Sequence, residues 1–190
     1  SNNFCFMFAQ FHHSAMKHVI NVRKALRTRT IFNLLGPLTN PANAKNQLLG
    51  VYDKKWLITH CETLKELGSQ NVLVVHGFDG LDEITLTNNT HICELQNNKI
   101  INYIFDPREI GYEYISLEDI KGGDPQYNAE IFLQMIDGKH KKFQKIVEIN
   151  AGAALYLSGI ADNIKVGSEI AAKSINEGKT KNFIKKIING

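Results

Sequence analysis

Continuous apolar runs of strand length fall at residues 4–8, 48–52 and 72–75. The last, VLVV, is rich in β-branched residues and bounded by turn formers. Runs that do not alternate with polar residues predict strands buried on both faces. Between the second and third, residues 56–67 place apolar side chains at helical spacing, and Gly68 follows as a C-cap. Strand, helix, glycine and strand predict a βαβ unit, which needs a parallel sheet covered by helices.

Residues 84–86, 91–95 and 100–105 predict shorter strands, with Asn88-Asn89 and Asn97-Asn98 as the turns between them. These suit an antiparallel extension exposed on one face. Ser116 stands three residues before Asp119, the spacing of a capping box. Asp124 followed by Pro125 marks a helix start, and Gly138 its end. Residues 143–157, 164–176 and 180–188 are helical by periodicity, and the segment NAGAALYLSG within them has the small residues that let a helix pack closely. The fold class expected is α/β: a central, mostly parallel sheet flanked by helices, with an antiparallel extension, in one domain spanning 1–190.

Composition narrows the class. With 43% hydrophobic and 22% charged residues in 190, the chain is neither disordered nor fibrous. Cys5, Cys61 and Cys93 are odd in number and widely spaced, which argues against a disulfide framework or a zinc cluster. No apolar stretch approaches the length of a membrane span, and the opening SNNFCFMFAQF lacks a basic leader, so a cytoplasmic location is expected. An opening almost directly on FCFMF, without Met, reads as a cut inside a larger fold.

The net charge of +3 is unevenly distributed. Residues 1–52 hold six basic side chains and no acid, residues 53–137 hold fifteen acids against six bases, and residues 138–190 hold ten lysines against four acids. Such segregation suits a basic surface beside an acidic one, able to hold an anionic ligand together with its metal. Separate solvated faces would give the same pattern, and the lysines of the last block read as pointing to water.

Three stretches could carry chemistry. In VVHGFDGLDE, residues 74–83, a buried strand ends at His76, a loop with two glycines comes next, and Asp82 and Glu83 emerge beyond it. Ligands of open α/β sheets bind outside the carboxyl ends of parallel strands, and Mg²⁺ takes one or two carboxylates plus phosphate oxygens. A capping or surface role would use the same two residues. In residues 12–26, His12, Met16, Val19 and Arg23 share a helical face, with His13 beside it. An arginine fork there suits a carboxylate, although residues satisfied at a helix surface would look alike. A zinc site at His12, His13 and His18 lacks ligand spacing. Residues 27–53 contain no acid before Asp53 and carry Gly36-Pro37 and Asn40-Pro41 as turn signals, a loop that could approach a ligand or simply connect.

The runs HHSAMKHV and RTIFNLLGPLTNP within residues 4–41, followed in order by LLGVYD, VVHGFDGLDE, IKGGD and NAGAALYLSG, resemble anthranilate phosphoribosyltransferases over nearly the whole chain. The resemblance implies a phosphoribosyltransferase and nucleoside phosphorylase-like large domain. There the amine of anthranilate attacks the ribose of phosphoribosyl pyrophosphate and pyrophosphate leaves with the help of Mg²⁺. It implies that Arg23 holds the anthranilate carboxylate and that Asp82 and Glu83 hold the metal. Ala9, Gln10, His13, Met16 and Gly36 would wall the anthranilate tunnel, with Gln10 where the family commonly has proline.

The family's glycine-rich GTGGD loop, its KHGN motif and its helical small domain do not occur in this sequence. The expectation is therefore a portion of the large domain, carrying part of each substrate site and inactive by itself. Family resemblance further implies a homodimeric parent with no membrane or nucleic-acid partner. A pyrimidine nucleoside phosphorylase, of similar fold, matches the first two runs less well. A non-catalytic nucleic-acid binder would use the basic block but would have no need of paired carboxylates.

Overall fold

The computed structural model describes residues 4–7 and 31–189, and the chain divides into two compact units, residues 1–44 and 45–190. In the first unit the strand expected at residues 4–8 is not formed over its described part. Residues 4–7 have no regular structure, and Phe4, Phe6 and Met7 are 57%, 76% and 38% exposed. An apolar run favours burial, but it becomes a strand only where a ladder partner accepts it. Helix α1 (Phe32–Leu38) includes Gly36 and Pro37, which sequence assigns to a turn. Proline has no N–H to continue the helical ladder, and the helix stops one residue later, at the Thr39 cap whose hydroxyl donates to Gly36 O at 3.0 Å. The turn at Asn40-Pro41 does form, with Asn40 Oδ1 accepting from Ala42 N at 2.9 Å.

The second unit opens with the expected βαβ arrangement. Strand β1 (Asn46–Gly50) runs parallel to β2 (Asn71–Gly77), in register from Asn46 opposite Asn71 to Gly50 opposite Val75. Between them a 3₁₀ turn at Lys54–Trp56, capped by Asp53, leads into α2 (Leu57–Glu66). Gly68 ends the helix at φ +84°, a conformation costly for any residue with a Cβ. Strands β3 (Thr90–Gln96) and β4 (Lys99–Phe105) add antiparallel neighbours in the order β1-β2-β3-β4. Among the described strands, parallel pairing is confined to β1 and β2. Asn97 and Asn98 make the β3–β4 turn with φ of 51° and 61°, the left-handed pair a tight hairpin requires.

Four helices complete the unit: α3 (Pro125–Ile136), α4 (Lys141–Leu157), α5 (Ile164–Asn176) and α6 (Lys179–Asn189). The Asp124 carboxylate caps α3, and the Ser116–Asp119 capping box closes a 3₁₀ turn at Leu117–Ile120. One sheet face packs Leu73, Val75, Ile92 and Phe105 against Ile146, Ile149, Ala153 and Leu157 of α4. On the other face α2 packs on β2 and β3, where the fully buried thiols of Cys61 and Cys93, distant in sequence, meet, and the Cys61 pKa is pushed up by its Cys93 neighbour and by burial. Small residues act as expected in α4. A Cβ on Gly152 would lie 2.4 Å from Ser168 N, so α4 and α5 touch through backbone. Among the described residues no helix is long and apolar enough to cross a membrane.

Residues 84–86 do not form the strand expected of them, although Ile84, Thr85 and Leu86 are completely buried. Their backbone groups are taken by side chains and a loop. Ile84 N donates to Asn150 Oδ1, Thr85 N to the Thr90 hydroxyl, and Leu86 O accepts from Ile115 N. Burial of the peptide is thus satisfied without a ladder.

Candidate functional site

The β2–β3 connection, residues 78–89, leaves the carboxyl end of the parallel pair. Val51 N bonds Val75 O at 3.0 Å, and His76 Nδ1 lies 2.8 Å from Val51 O, which extends the contact between the two strands past Gly50. The chain then turns tightly: Gly77 N donates to Leu81 O at 2.8 Å, and Gly80 takes φ +92°. Asp79 organises the rest of the loop. Its Oδ1 accepts from Leu81 N at 3.0 Å, while its Oδ2 accepts from the hydroxyls of Thr85 and Thr87. With both oxygens in use, Asp79 is a strut of the loop.

This strut brings Asp82 and Glu83 to the end of β1. A Cβ built on Gly50 would fall 1.6 Å from the carbonyl oxygen of Asp82, so only glycine lets the loop lie against the strand here. Immediately after the pair, the Asn150 side chain grips Ile84 from both sides. Oδ1 accepts from Ile84 N at 3.0 Å, and Nδ2 donates to Ile84 O at 2.8 Å and to Ile146 O at 3.0 Å. Phe78, at the start of the loop, stacks on His91 with ring centroids 4.1 Å apart.

The two carboxylates are unlike. Asp82 is exposed, whereas Glu83 is half-buried and lines a cavity of about 360 Å³ with Ile120, Phe143, Ile146, Val147, Asn150 and Ala151. Burial is the largest cause raising the Glu83 pKa above its ordinary value, and the charges of Asp82 and then Asp79 add to it. Anionic Glu83 is therefore a high-energy state, which a cation would relieve. Among the described residues no group of three or more His, Cys, Asp or Glu could form an all-protein metal cage. Two carboxylates of this kind fit Mg²⁺, which keeps several waters or phosphate oxygens in its own shell.

Of the residues singled out in the sequence, Asp82 and Glu83 lie together at this loop. Gly36 lies in α1 of the first unit, where an added Cβ would meet nothing within 4 Å. Ala9, Gln10, His12, His13, Met16, His18 and Arg23 lie outside the described residues. Gly50, Asp79, Thr85, Thr87 and Asn150 shape the loop, and sequence reasoning misses all five. The Asp79-Gly80 dipeptide carries the signal of a side-chain-closed turn. Nothing local marks Asn150, whose partner is 66 residues away.

Comparison with known proteins gives a consistent picture. Residues 1–181 match the family described as glycosyl transferase family, a/b domain. An anthranilate phosphoribosyltransferase from Methanobrevibacter smithii is 46% identical over 98% of this chain and 56% of its own length. The crystal structure of anthranilate phosphoribosyltransferase from Thermus thermophilus superposes with a TM-score of 0.88 at 37% identity, covering 97% of this chain and 55% of that one. The Saccharomyces cerevisiae enzyme in complex with PRPP and Mg gives a TM-score of 0.86 at 28% identity, covering 98% and 54%. The chain thus spans about half the length of the relatives it matches.

Proposed function

The chain belongs to the glycosyl transferase family, a/b domain, and from that premise we propose that the protein carrying it transfers the phosphoribosyl group of phosphoribosyl pyrophosphate to anthranilate. The products are N-phosphoribosylanthranilate and pyrophosphate, a step of tryptophan biosynthesis. The observation that carries the reading is the acidic pair Asp82–Glu83 outside the carboxyl end of the β1–β2 parallel pair, with Gly50 opening the space it occupies. Relatives named for this activity, one of them solved with PRPP and Mg, support it.

In this reading Asp82 and Glu83 would hold Mg²⁺. When bound, the ion supplies neutralisation of the charge gathering on the departing pyrophosphate. The carboxylates would supply the negative charge that draws the ion, with apolar side chains lining the cavity beside Glu83. Arg23 is assigned to the anthranilate carboxylate through its bidentate fork, with Ala9, Gln10, His13, Met16 and Gly36 around the ring. A neutral aromatic amine is already nucleophilic, so orienting it contributes more than a strong base would. Since the relatives are about twice as long as the matched region, the reading also holds that these residues make part of each substrate site.

Loss of anthranilate fluorescence in the presence of phosphoribosyl pyrophosphate and Mg²⁺ tests the proposal. A protein that joins this chain to the remainder of a family-length sequence is expected to consume anthranilate and to stop when EDTA is added. Phosphorolysis of a pyrimidine nucleoside without anthranilate consumption would overturn the reading in favour of the phosphorylase.

A further inference from the structure

We propose that Asn150 is the positioning residue of the acidic pair: from α4 it holds the peptide after Glu83 so that the Asp82 and Glu83 carboxylates are presented together to a divalent cation. The inference rests on the reading of those carboxylates as the cation-holding pair. Its ground is the geometry of one side chain. The Asn150 amide pairs with both the N–H and the C=O of Ile84, as a neighbouring strand would, and does so for a residue that is completely buried. Its Nδ2 is shared with Ile146 O one helical turn earlier, so the amide cannot turn over without losing all three bonds. The loop is thus referred to the helix that packs on the sheet, and Asn150 also lines the cavity into which Glu83 faces.

Other supports of the loop act elsewhere along it. Asp79 ties its own turn to Thr85 and Thr87, and Gly50 supplies room beneath Asp82 without holding anything. Asn150 alone among them bonds the peptide group next to Glu83 from a different element. Groups hydrogen-bonded to a metal-holding side chain typically change metal affinity by about 10- to 100-fold when removed, and Asn150, which acts through the adjoining peptide, belongs at the lower end of that range.

The test is a titration of Mn²⁺ in the presence of inorganic pyrophosphate, with bound ion followed by electron paramagnetic resonance in the full chain. Asn150→Ala is expected to weaken Mn²⁺ binding about tenfold at a temperature where the protein is folded, with binding restored by excess Mn²⁺. Asn150→Ser serves the same purpose if the alanine variant does not fold. Asn163→Ala, which removes the side chain capping α5, controls for stability: it should lower Tm and leave Mn²⁺ affinity unchanged. Should Asp82→Asn weaken binding while both Asn150 variants bind as tightly as the parent, the positioning role is wrong and the cation pair stands. Should Asp82→Asn itself leave the affinity unchanged, the reading of the pair fails and this inference with it.

Discussion

Glu94 on β3 is 6% exposed and accepts hydrogen bonds from Tyr103 OH at 2.9 Å and Tyr156 OH at 2.6 Å. Glu83, in the loop that precedes β3, is half-buried, and among the described residues no donor bonds its carboxylate. Among the described residues the charges acting on it are those of Asp82 and Asp79, both acids. The two glutamates share a domain and a helix, since α4 supplies Tyr156 to one and Asn150 to the cavity of the other. They differ in who satisfies them. Around Glu94 the phenols are kept protonated; burial first, and then the bond to Glu94, pushes the Tyr156 pKa up to about 12. That network is closed and structural. Around Glu83 burial and neighbouring acids oppose the charge, the setting expected of a carboxylate that binds, as proposed above, and not of one that packs.

Substitutions can break this contrast. The largest effect is expected from Asp82→Asn, which keeps the shape of an exposed side chain and removes its charge. In the family-length protein the initial rate of anthranilate loss should fall about 100-fold or more, in line with loss of one strong electrostatic contributor at a reacting centre, with Tm little changed. Gly50→Ala should harm both fold and site, because its Cβ would collide with the Asp82 carbonyl. Urea unfolding should report a loss of about 1–3 kcal/mol, the usual range for overpacking, together with weaker Mn²⁺ binding. Tyr156→Phe removes one bond from the buried Glu94 and should lower stability by about 1–3 kcal/mol without altering Mn²⁺ affinity.

The smallest effect concerns pH. Glu83 has a folded-state pKa above its unfolded value. Between the two, the folded state retains a proton that the unfolded state has released, so stability falls as pH rises through that window. Glu83→Gln should remove this component and give a cation-free protein slightly more resistant to heat at neutral pH than the parent, read as Tm against pH. A parent whose stability rises through the same window by more than the variant's would reverse the sign and deny the buried charge.

Local signals were legible in the sequence because they are read within a few residues. The VLVV strand, the Asp124-Pro125 helix start, the Ser116–Asp119 box and the Asn97-Asn98 turn each depend on neighbours that the chain itself supplies. The placement of Asp82 and Glu83 in a loop after a buried strand was legible too. The illegible features depend on distant partners. Residues 84–86 have the composition of a strand, yet their backbone is satisfied by Asn150 and Thr90. Gly50 reads as an ordinary strand glycine until the Asp82 carbonyl is seen against it. Cys61 and Cys93 look unrelated until α2 is laid on β3. Apolar content alone made residues 4–8 a strand, and the described part of that run lies exposed.

The contrast between the two glutamates is tested most directly by one pair of Mn²⁺ titrations with pyrophosphate, on Glu83→Gln and Glu94→Gln, below the Tm of each. The account predicts that Glu83→Gln loses the bound ion, by about tenfold or more in affinity, while Glu94→Gln binds as the parent does and differs only in stability. Equal affinity in the two variants, or loss of the ion in Glu94→Gln alone, would contradict it.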